Sequence, residues 1–361
     1  MVDNIIATRT RFIQKFTNDR ELIWSFEIDY GGTSSIDFNA ICLYYDEYIY
    51  LRRTTSTSQL HKIHNEDNIE EGLNYEWSKT ISGTLTNVNS KGVAYTFGPV
   101  STTAGVTNYS KVDFEGNVLW DKRHEVSASC SSFALNGDIY IGGIVPTYIE
   151  PEDPHNLIKI DTEDEIHNLG TIGTRIASID IDLQGYIYIA TKNNSNGRLI
   201  KKDKDFDTIW TKDYGHDNNL NISPIMQVVA MHNDQCVALI RGHYDQESTQ
   251  VSMFALDSDG DIIWSRIPPG NSTMSAANLG IDGYVYYSLN TGQIPPEQPY
   301  AIFKIDAEGE DYWEDYPDIT NVNTIHVVKI PPGQASAGFW INAPKLTAVQ
   351  ENGNIRLNWE W

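Results

Sequence analysis

Three groups of residues are of types that could do chemistry. Asp257, Asp259 and Asp261 alternate along the chain, as oxygen ligands do around a hard cation. An EF-hand puts glycine after its third acid, whereas Gly260 precedes Asp261, and the equivalent stretches at Glu115-Gly116 and Glu308-Gly309 lack the full set of acids. Turn chemistry is therefore expected there. His61 and His64 lie three apart on an expected strand, where alternation sends them to opposite faces, so no shared metal is expected. Glu150-Pro-Glu-Asp-Pro-His155 gathers acids and a histidine into a segment that suits an ion or a basic partner, or a solvated, proline-stiffened loop. There is no nucleophile elbow, phosphate loop or metalloprotease motif. Scattered carboxylate pairs are the ingredients of glycoside hydrolysis, but any acidic chain of this size offers many. No catalytic residue, cofactor or metal ligand is assigned.

The elements that would position such groups emerge from a repeat. Its clear copies are Asp113-Phe-Glu-Gly-Asn-Val-Leu-Trp120, Asp257-Ser-Asp-Gly-Asp-Ile-Ile-Trp264 and Asp306-Ala-Glu-Gly-Glu-Asp-Tyr-Trp313. Looser copies run from Asp203 to Trp210, from Thr17 to Trp24, and from Asp161 to Asn168, where Asn replaces Trp; one ending in Trp77 carries an insertion. Acid and glycine shape a tight hairpin turn, and the indole packs the second strand on a neighbour. Between these hairpins recurs a second strand pair, marked by Tyr48-Ile-Tyr50, Val93-Ala-Tyr95, Asp138-Ile-Tyr140, Tyr186-Ile-Tyr188, Cys236-Val-Ala238, Tyr284-Val-Tyr286 and Gly338-Phe-Trp340. Each interval is filled by one four-stranded antiparallel unit, and no stretch has helical period.

Small sheets that cannot bury both faces alone stack radially, which predicts an all-β, seven-bladed β-propeller over residues 1–342. Two unrelated β-sandwiches are the alternative. The chain opens with an outer hairpin near residues 8–29 and ends its repeats with an inner pair near 321–342, which predicts two-plus-two strand closure. The Asp-x-x-Gly-x-x-x-Trp signature resembles the tryptophan-docking repeat of quinoprotein-like, PQQ-type propellers. That resemblance implies the fold and says little about chemistry. Quinone enzymes of that family would need an adjacent cysteine pair, and Cys42, Cys130 and Cys236 are far apart; buried thiols are expected.

Residues 343–361 form a short C-terminal β extension. Ala343-Pro-Lys-Leu-Thr-Ala-Val-Gln-Glu-Asn-Gly-Asn-Ile-Arg-Leu-Asn-Trp359 resembles the first two strands of a fibronectin type III module, either part of such a module or a strand pair donated to another chain.

Among 361 residues, 49 Asp and Glu face 26 Lys and Arg, for a net charge of -23. A phosphate backbone would be repelled, so no nucleic-acid partner is expected. Apolar runs are far shorter than the roughly 20 residues of a spanning helix, so membrane insertion is not expected. The start of the chain, with Arg9, Arg11 and Lys15, lacks the apolar core of a secretory signal.

Tight turns such as Asn136-Gly137, Asp282-Gly283 and Glu115-Gly116 fall on one rim of the expected propeller, and longer connections on the other. Recognition sits on variable loops held by a rigid scaffold. The candidate ligand-binding residues of that loop rim are Tyr148, His155, Tyr214, His216, His243, Tyr244 and Tyr300, amphipathic groups suited to sugar faces or protein partners. The resulting expectation is a non-catalytic recognition or assembly module. Its first placement is in a virion, as a phage tail, fibre or capsid-decorating protein meeting host glycans or neighbouring virion proteins. A cellular protein scaffold, cytoplasmic or extracellular, and a polysaccharide-cleaving enzyme are the alternatives.

Overall fold

The computed structural model describes residues 5–9, 12–16, 22–27, 37–44, 48–54, 58–65, 74–81, 85–89, 91–99, 106–144, 155–193, 196–214, 225–231, 234–244, 248–266, 273–279, 283–290, 300–310, 324–327, 345–351 and 354–360. Strands and turns account for all of the regular structure, and no helix occurs among the described residues.

In chain order the strands are β1 (Ile5–Arg9), β2 (Phe12–Phe16), β3 (Leu22–Glu27), β4 (Asp37–Tyr44), β5 (Tyr48–Thr54), β6 (Ser58–His64), β7 (Tyr75–Thr80), β8 (Leu85–Val88), β9 (Ala94–Pro99) and β10 (Thr107–Val112). There follow β11 (Val118–His124), β12 (Ser127–Phe133), β13 (Ile139–Ile144), β14 (Leu157–Ile160), β15 (Ile166–Asn168), β16 (Arg175–Ile181), β17 (Ile187–Asn193), β18 (Asn196–Lys202) and β19 (Thr208–Tyr214). The last are β20 (Ile225–Ala230), β21 (Cys236–Tyr244), β22 (Ser248–Leu256), β23 (Ile262–Arg266), β24 (Thr273–Leu279), β25 (Val285–Asn290), β26 (Tyr300–Ile305), β27 (Thr324–Val327), β28 (Lys345–Glu351) and β29 (Asn354–Glu360).

Consecutive strands pair antiparallel into small sheets, in the orders β4-β5-β6-β7, β8-β9-β10-β11, β20-β21-β22-β23 and β24-β25-β26. Strands β12 to β19 form one eight-stranded sheet, but its halves pair as strands only through Ile144 opposite Arg175, so it is two meanders joined by one edge pairing. The hairpin β28-β29 forms a sheet of its own.

Burial explains why strands such as Ile187–Asn193 read as nearly continuous apolar runs. Each described core lies between two successive sheets: Tyr95, Phe97 and Tyr109 of one pack on Phe133, Ile139, Ile141 and Ile158 of the next. Tyr140 and Leu157 meet Ile176, Ile179, Ile187 and Ile189 across the following boundary. Both faces of an inner sheet are therefore covered, which removes the usual alternation. Each fully buried Ile, Leu or Val contributes about 1.5–3 kcal/mol relative to exposure.

The innermost strands are also tied to one another by polar groups. Ser129 Oγ donates to the Ile176 oxygen at 2.8 Å. Asp180, only 7% exposed, accepts from Ser132 Oγ at 3.2 Å on one side and from the Ala230 N–H at 2.9 Å on the other. One carboxylate thus links three sheets, and its burial is matched by hydrogen bonds as it must be. Gln227 imitates a backbone unit, accepting from Ala277 N–H at 2.9 Å and donating to the oxygen of Ala277 at 2.5 Å.

The two parts of the chain expected to meet share one sheet, ordered β27-β1-β2-β3, with Ile5 opposite Val327. The division differs from two-plus-two: three of these strands come from the start of the chain and one from the far end. The cause is local. Ile5–Arg9 is apolar and β-permissive enough to form a strand, and only two residues separate it from Phe12, the length of the tightest hairpin turn. Residues 338–340, expected to supply that strand, lie outside the described residues.

Candidate functional site

The repeated acid is used up by its own turn. Asp257 Oδ1 accepts the N–H groups of Asp259 and Asp261 at 3.0 and 2.8 Å. Asp203 does the same for Asp205 and Asp207, and Asp161 for Glu163 and Glu165. The three alternating aspartates are thus a capped turn. Among the described residues, no group of three or more His, Cys, Asp or Glu gathers as metal ligands would.

What the turns position is a row of three residues across each sheet. Tyr50 faces Lys62, which faces Trp77; Tyr95 faces Lys111, which faces Trp120; Tyr188 faces Lys201, which faces Trp210. Residues directly opposite share a face. That face meets the next sheet. There the indole N–H of Trp77 donates to the oxygen of Phe114 at 2.9 Å, that of Trp210 to Ser258 at 2.8 Å, and that of Trp264 to Ala307 at 2.8 Å. Lysine joins the same acceptors: Lys62 Nζ reaches the Phe114 oxygen at 3.3 Å and Lys201 Nζ the Ser258 oxygen at 3.1 Å.

These lysines were not singled out from the sequence, although the signal is present two residues before the turn acid, at Lys111, Lys159, Lys201 and Lys304. Lys62, Lys201 and Lys304 are at most 3% exposed. Each ammonium sits over tyrosine rings, with Lys201 4.4 Å from the ring of Tyr186 and Lys304 4.4 Å from that of Tyr284. At Lys201 a carbonyl, tyrosine rings and the carboxylate of Asp234 together replace the lost water.

One boundary departs from the rule. The described Trp-bearing hairpins carry a β-bulge beside the lysine position, but β14-β15 has none, so His167 and not Asn168 stands opposite Lys159. His167 turns to its own acid, with Nε2 2.6 Å from Asp161 Oδ2. In the next turn Phe206 holds the left-handed position that glycine occupies elsewhere, with φ of 70°, and stacks on Tyr140 at 6.1 Å. A ring from the turn thus covers the tyrosine that an indole covers at other boundaries. Trp120 also lacks its acceptor: its Nε1 is buried with no hydrogen-bond partner, and the following turn has Asp164 where others have glycine. Asp164 instead takes Lys111 Nζ at 2.5 Å.

The densest ionisable cluster lies where β17 and β18 meet the turn before β21. Lys201 pairs with Asp234, and the Tyr188 hydroxyl stands 3.2 Å from Asp234 Oδ1 and 3.4 Å from Asp182 Oδ2. One hydroxyl hydrogen cannot serve two carboxylates. Burial pushes the Asp182 carboxyl up to about 6, against the N–H groups of Tyr186 and Gln184 that stabilise its anion. Burial likewise raises the Tyr188 phenol and the Cys236 thiol far above their ordinary ranges. Cys236 is fully buried, and Cys130 is half-buried with its thiol pushed up to about 12 by burial.

Of the candidate rim residues, Tyr148 and His216 lie outside the described residues. His155 is not displayed: it is 8% exposed, with its ring against His124. Tyr214 ends β19, leans on Phe254, and donates its hydroxyl to the oxygen of Gly260 at 2.7 Å, so its polar tip is engaged between sheets. His243 and Tyr244 belong to β21, paired with Thr249 and Ser248, so both stand on a strand. Tyr300 opens β26, opposite Asn290. Antiparallel pairing runs on while backbone groups find partners, whatever the polarity of the side chains, so these strands extend into polar sequence.

No family model matches the sequence, and no curated protein matches it. Solved structures do. A protein from Lactobacillus plantarum is 10% identical, with 91% of this chain and 99% of that one covered at a TM-score of 0.61. A quinoprotein alcohol dehydrogenase-like protein from Bacteroides thetaiotaomicron is 13% identical, covering 89% and 78% at 0.56. The β-propeller domain of the Trilobed protease from Pyrococcus furiosus, described as having an open velcro topology, is 12% identical, covering 85% and 91% at 0.52. The chain has a β-propeller fold. Its sheets are blades, and the lysine and tryptophan rows are contacts between blades.

Proposed function

We propose that the chain is a closed, seven-bladed propeller acting as a non-catalytic recognition or assembly module. Counting the eight-stranded sheet as two blades supports the number. The inner strands support closure: β4 lies beside β8, β8 beside β12, β12 beside β16, β16 beside β20, β20 beside β24, β24 beside β27, and β27 beside β4. One observation carries the functional reading. The buried groups best suited to chemistry, Lys62, Lys201 and Asp180, are all engaged across blade boundaries. Such use makes a stiff frame for the loop rim, where recognition belongs.

The placement in a virion, with host glycans or neighbouring virion proteins as partners, draws support from the net charge of -23 and the fibronectin-like tail, whose Lys345–Glu351 and Asn354–Glu360 pair as a separate hairpin. Incubation with a glycan panel tests the module: retention without new reducing ends is expected, and a rise in reducing ends overturns the non-catalytic reading. Quantitative proteomics of purified particles of a phage carrying the gene tests the placement. A fixed copy number supports it, and absence from the particle overturns it.

A further inference from the structure

Lys201 of β18 and Asp234, in the turn before β21, come from successive blades and form an ion pair. Lys201 is 2% exposed, and its Nζ lies 4.4 Å from the ring centroid of Tyr186 and 5.5 Å from that of Tyr188. Nζ contacts Oδ1 of Asp234, so the carboxyl carbon is one bond beyond that contact. Lys111 and Asp164 form the same kind of pair at another boundary, 2.5 Å apart. What the Lys201 pair adds is a second carboxyl. The Tyr188 hydroxyl stands 3.2 Å from that same Oδ1 of Asp234 and 3.4 Å from Oδ2 of Asp182. Oδ1 of Asp182 already accepts the N–H groups of Gln184 and Tyr186, at 2.9 and 2.8 Å, which leaves Oδ2 to carry a proton on the side facing the tyrosine. Burial raises the Asp182 carboxyl to about 6, within reach of the role of a proton donor near neutral pH.

An amine, a carboxyl carbon and an acid in line are the ingredients of amide formation. We propose that Lys201 and Asp234 join as an isopeptide, a covalent amide between neighbouring blades, with Asp182 acting through Tyr188 as the acid that releases water.

The ammonium first passes a proton to the Asp234 carboxylate, leaving a neutral amine beside a neutral acid, the pair that a water-poor site favours. The lone pair of Nζ then bonds to Cγ. The Oδ2 proton of Asp182, relayed by the Tyr188 hydroxyl, goes to the Asp234 hydroxyl oxygen, the C–O bond breaks and that oxygen leaves as water. One of the two hydrogens left on nitrogen returns to Asp182. One ammonium and one carboxylate thus become one amide and one water, with no oxidant and no other reactant. Removing two opposite charges from a buried site favours the product. Asp234 keeps 31% of its side-chain exposure, so water competes for its carboxylate and conversion follows folding slowly. The newly folded chain carries the ion pair, and the aged chain carries a staple between β18 and the turn before β21.

Intact mass spectrometry of the folded full chain, sampled during prolonged incubation, tests this. A growing fraction should be lighter by one water, about 18 Da, with peptide mapping that joins Lys201 to Asp234. Lys201→Arg should keep its full mass. Asp234→Asn should form the same amide with ammonia as leaving group, a loss of about 17 Da. Asp182→Asn keeps an acceptor for the N–H groups of its turn but supplies no proton, so it should link at least about a hundredfold more slowly. Circular dichroism separates loss of linkage from loss of fold. The parent's rate should fall as pH rises through about 6, where Asp182 loses its proton. The ionisable groups around Asp182 are Tyr186, Tyr188, Lys201, Asp234, Cys236 and Asp180; burial keeps Tyr188 and Cys236 neutral through that range, and Lys201 and Asp234 react with no net change in protons. Full mass at all times overturns the proposal, as does mapping of the lost water to a succinimide at Asp282-Gly283. Linkage of Asp182→Asn at the parent's rate overturns the part assigned to the acid.

Discussion

Trp210 lies so close to Gly260 that a Cβ built on the glycine would stand 3.0 Å from the indole. Gly116 and Gly309 stand equally near Trp77 and Trp264, at 2.8 and 2.7 Å, and all three have positive φ. The turn glycine therefore does two things: it adopts a left-handed conformation, and it lets the preceding blade's tryptophan lie flat on the backbone.

Substitution separates these roles. Gly283 has φ of +84° but nothing within 4 Å of its added Cβ. Gly283→Ala should lose only the left-handed preference, about 1–2 kcal/mol. Gly260→Ala and Gly309→Ala should lose more, because the indole must also move. Urea unfolding of the three variants checks the order; equal losses would mean that the docking contact is energetically neutral.

Trp120 is the described indole whose N–H has no acceptor. Trp210→Phe gives up a hydrogen bond to Ser258 that Trp120→Phe does not, so the former should be more destabilising by about 1 kcal/mol. Chemical denaturation at matched conditions gives the comparison.

Lys201, 2% exposed, balances Asp234, which keeps about a third of its side-chain exposure. Lys201→Met should cost about 2–3 kcal/mol, less than a fully buried broken pair because Asp234 can recover some water. Adding Asp234→Asn should restore part of that loss. A double-mutant cycle reads the coupling, and strict additivity would show the pair to be unimportant.

Asp182 links stability to pH. Its folded pKa of about 6 lies above the unfolded value of 3.8, so the native state binds the proton more tightly. Its carboxyl costs nothing below about pH 4, where it is protonated in both states; the cost grows as pH rises towards 6 and is constant above that. Asp182→Asn keeps an acceptor for the N–H groups of Gln184 and Tyr186 and cannot ionise. Relative to the parent, this variant should gain stability between pH 4 and 7, by on the order of 3 kcal/mol at the upper end. Melting curves across that range test it, and a pH-independent difference would refute it.

Local chemistry decided much in advance. Asp, Gly and Trp at fixed offsets specify a hairpin turn, and the Tyr-rich triplets specify buried strands, because backbone conformation and side-chain alternation act within a few residues. The repeat therefore disclosed an all-β chain of small sheets, and the alternating aspartates could already be weighed as a turn.

Other features depend on which residues meet across blade boundaries, far apart in the chain. Register alone reveals that His167 takes the place expected of Asn168, since a missing bulge shifts the partner of Lys159 by one. Phe206 on Tyr140, His155 against His124, and the buried lysines sharing carbonyls with tryptophans are likewise invisible to local pattern. Proximity between distant residues is fixed when sheets stack and exclude water, and only then does a charged or aromatic side chain acquire the partners that determine its role.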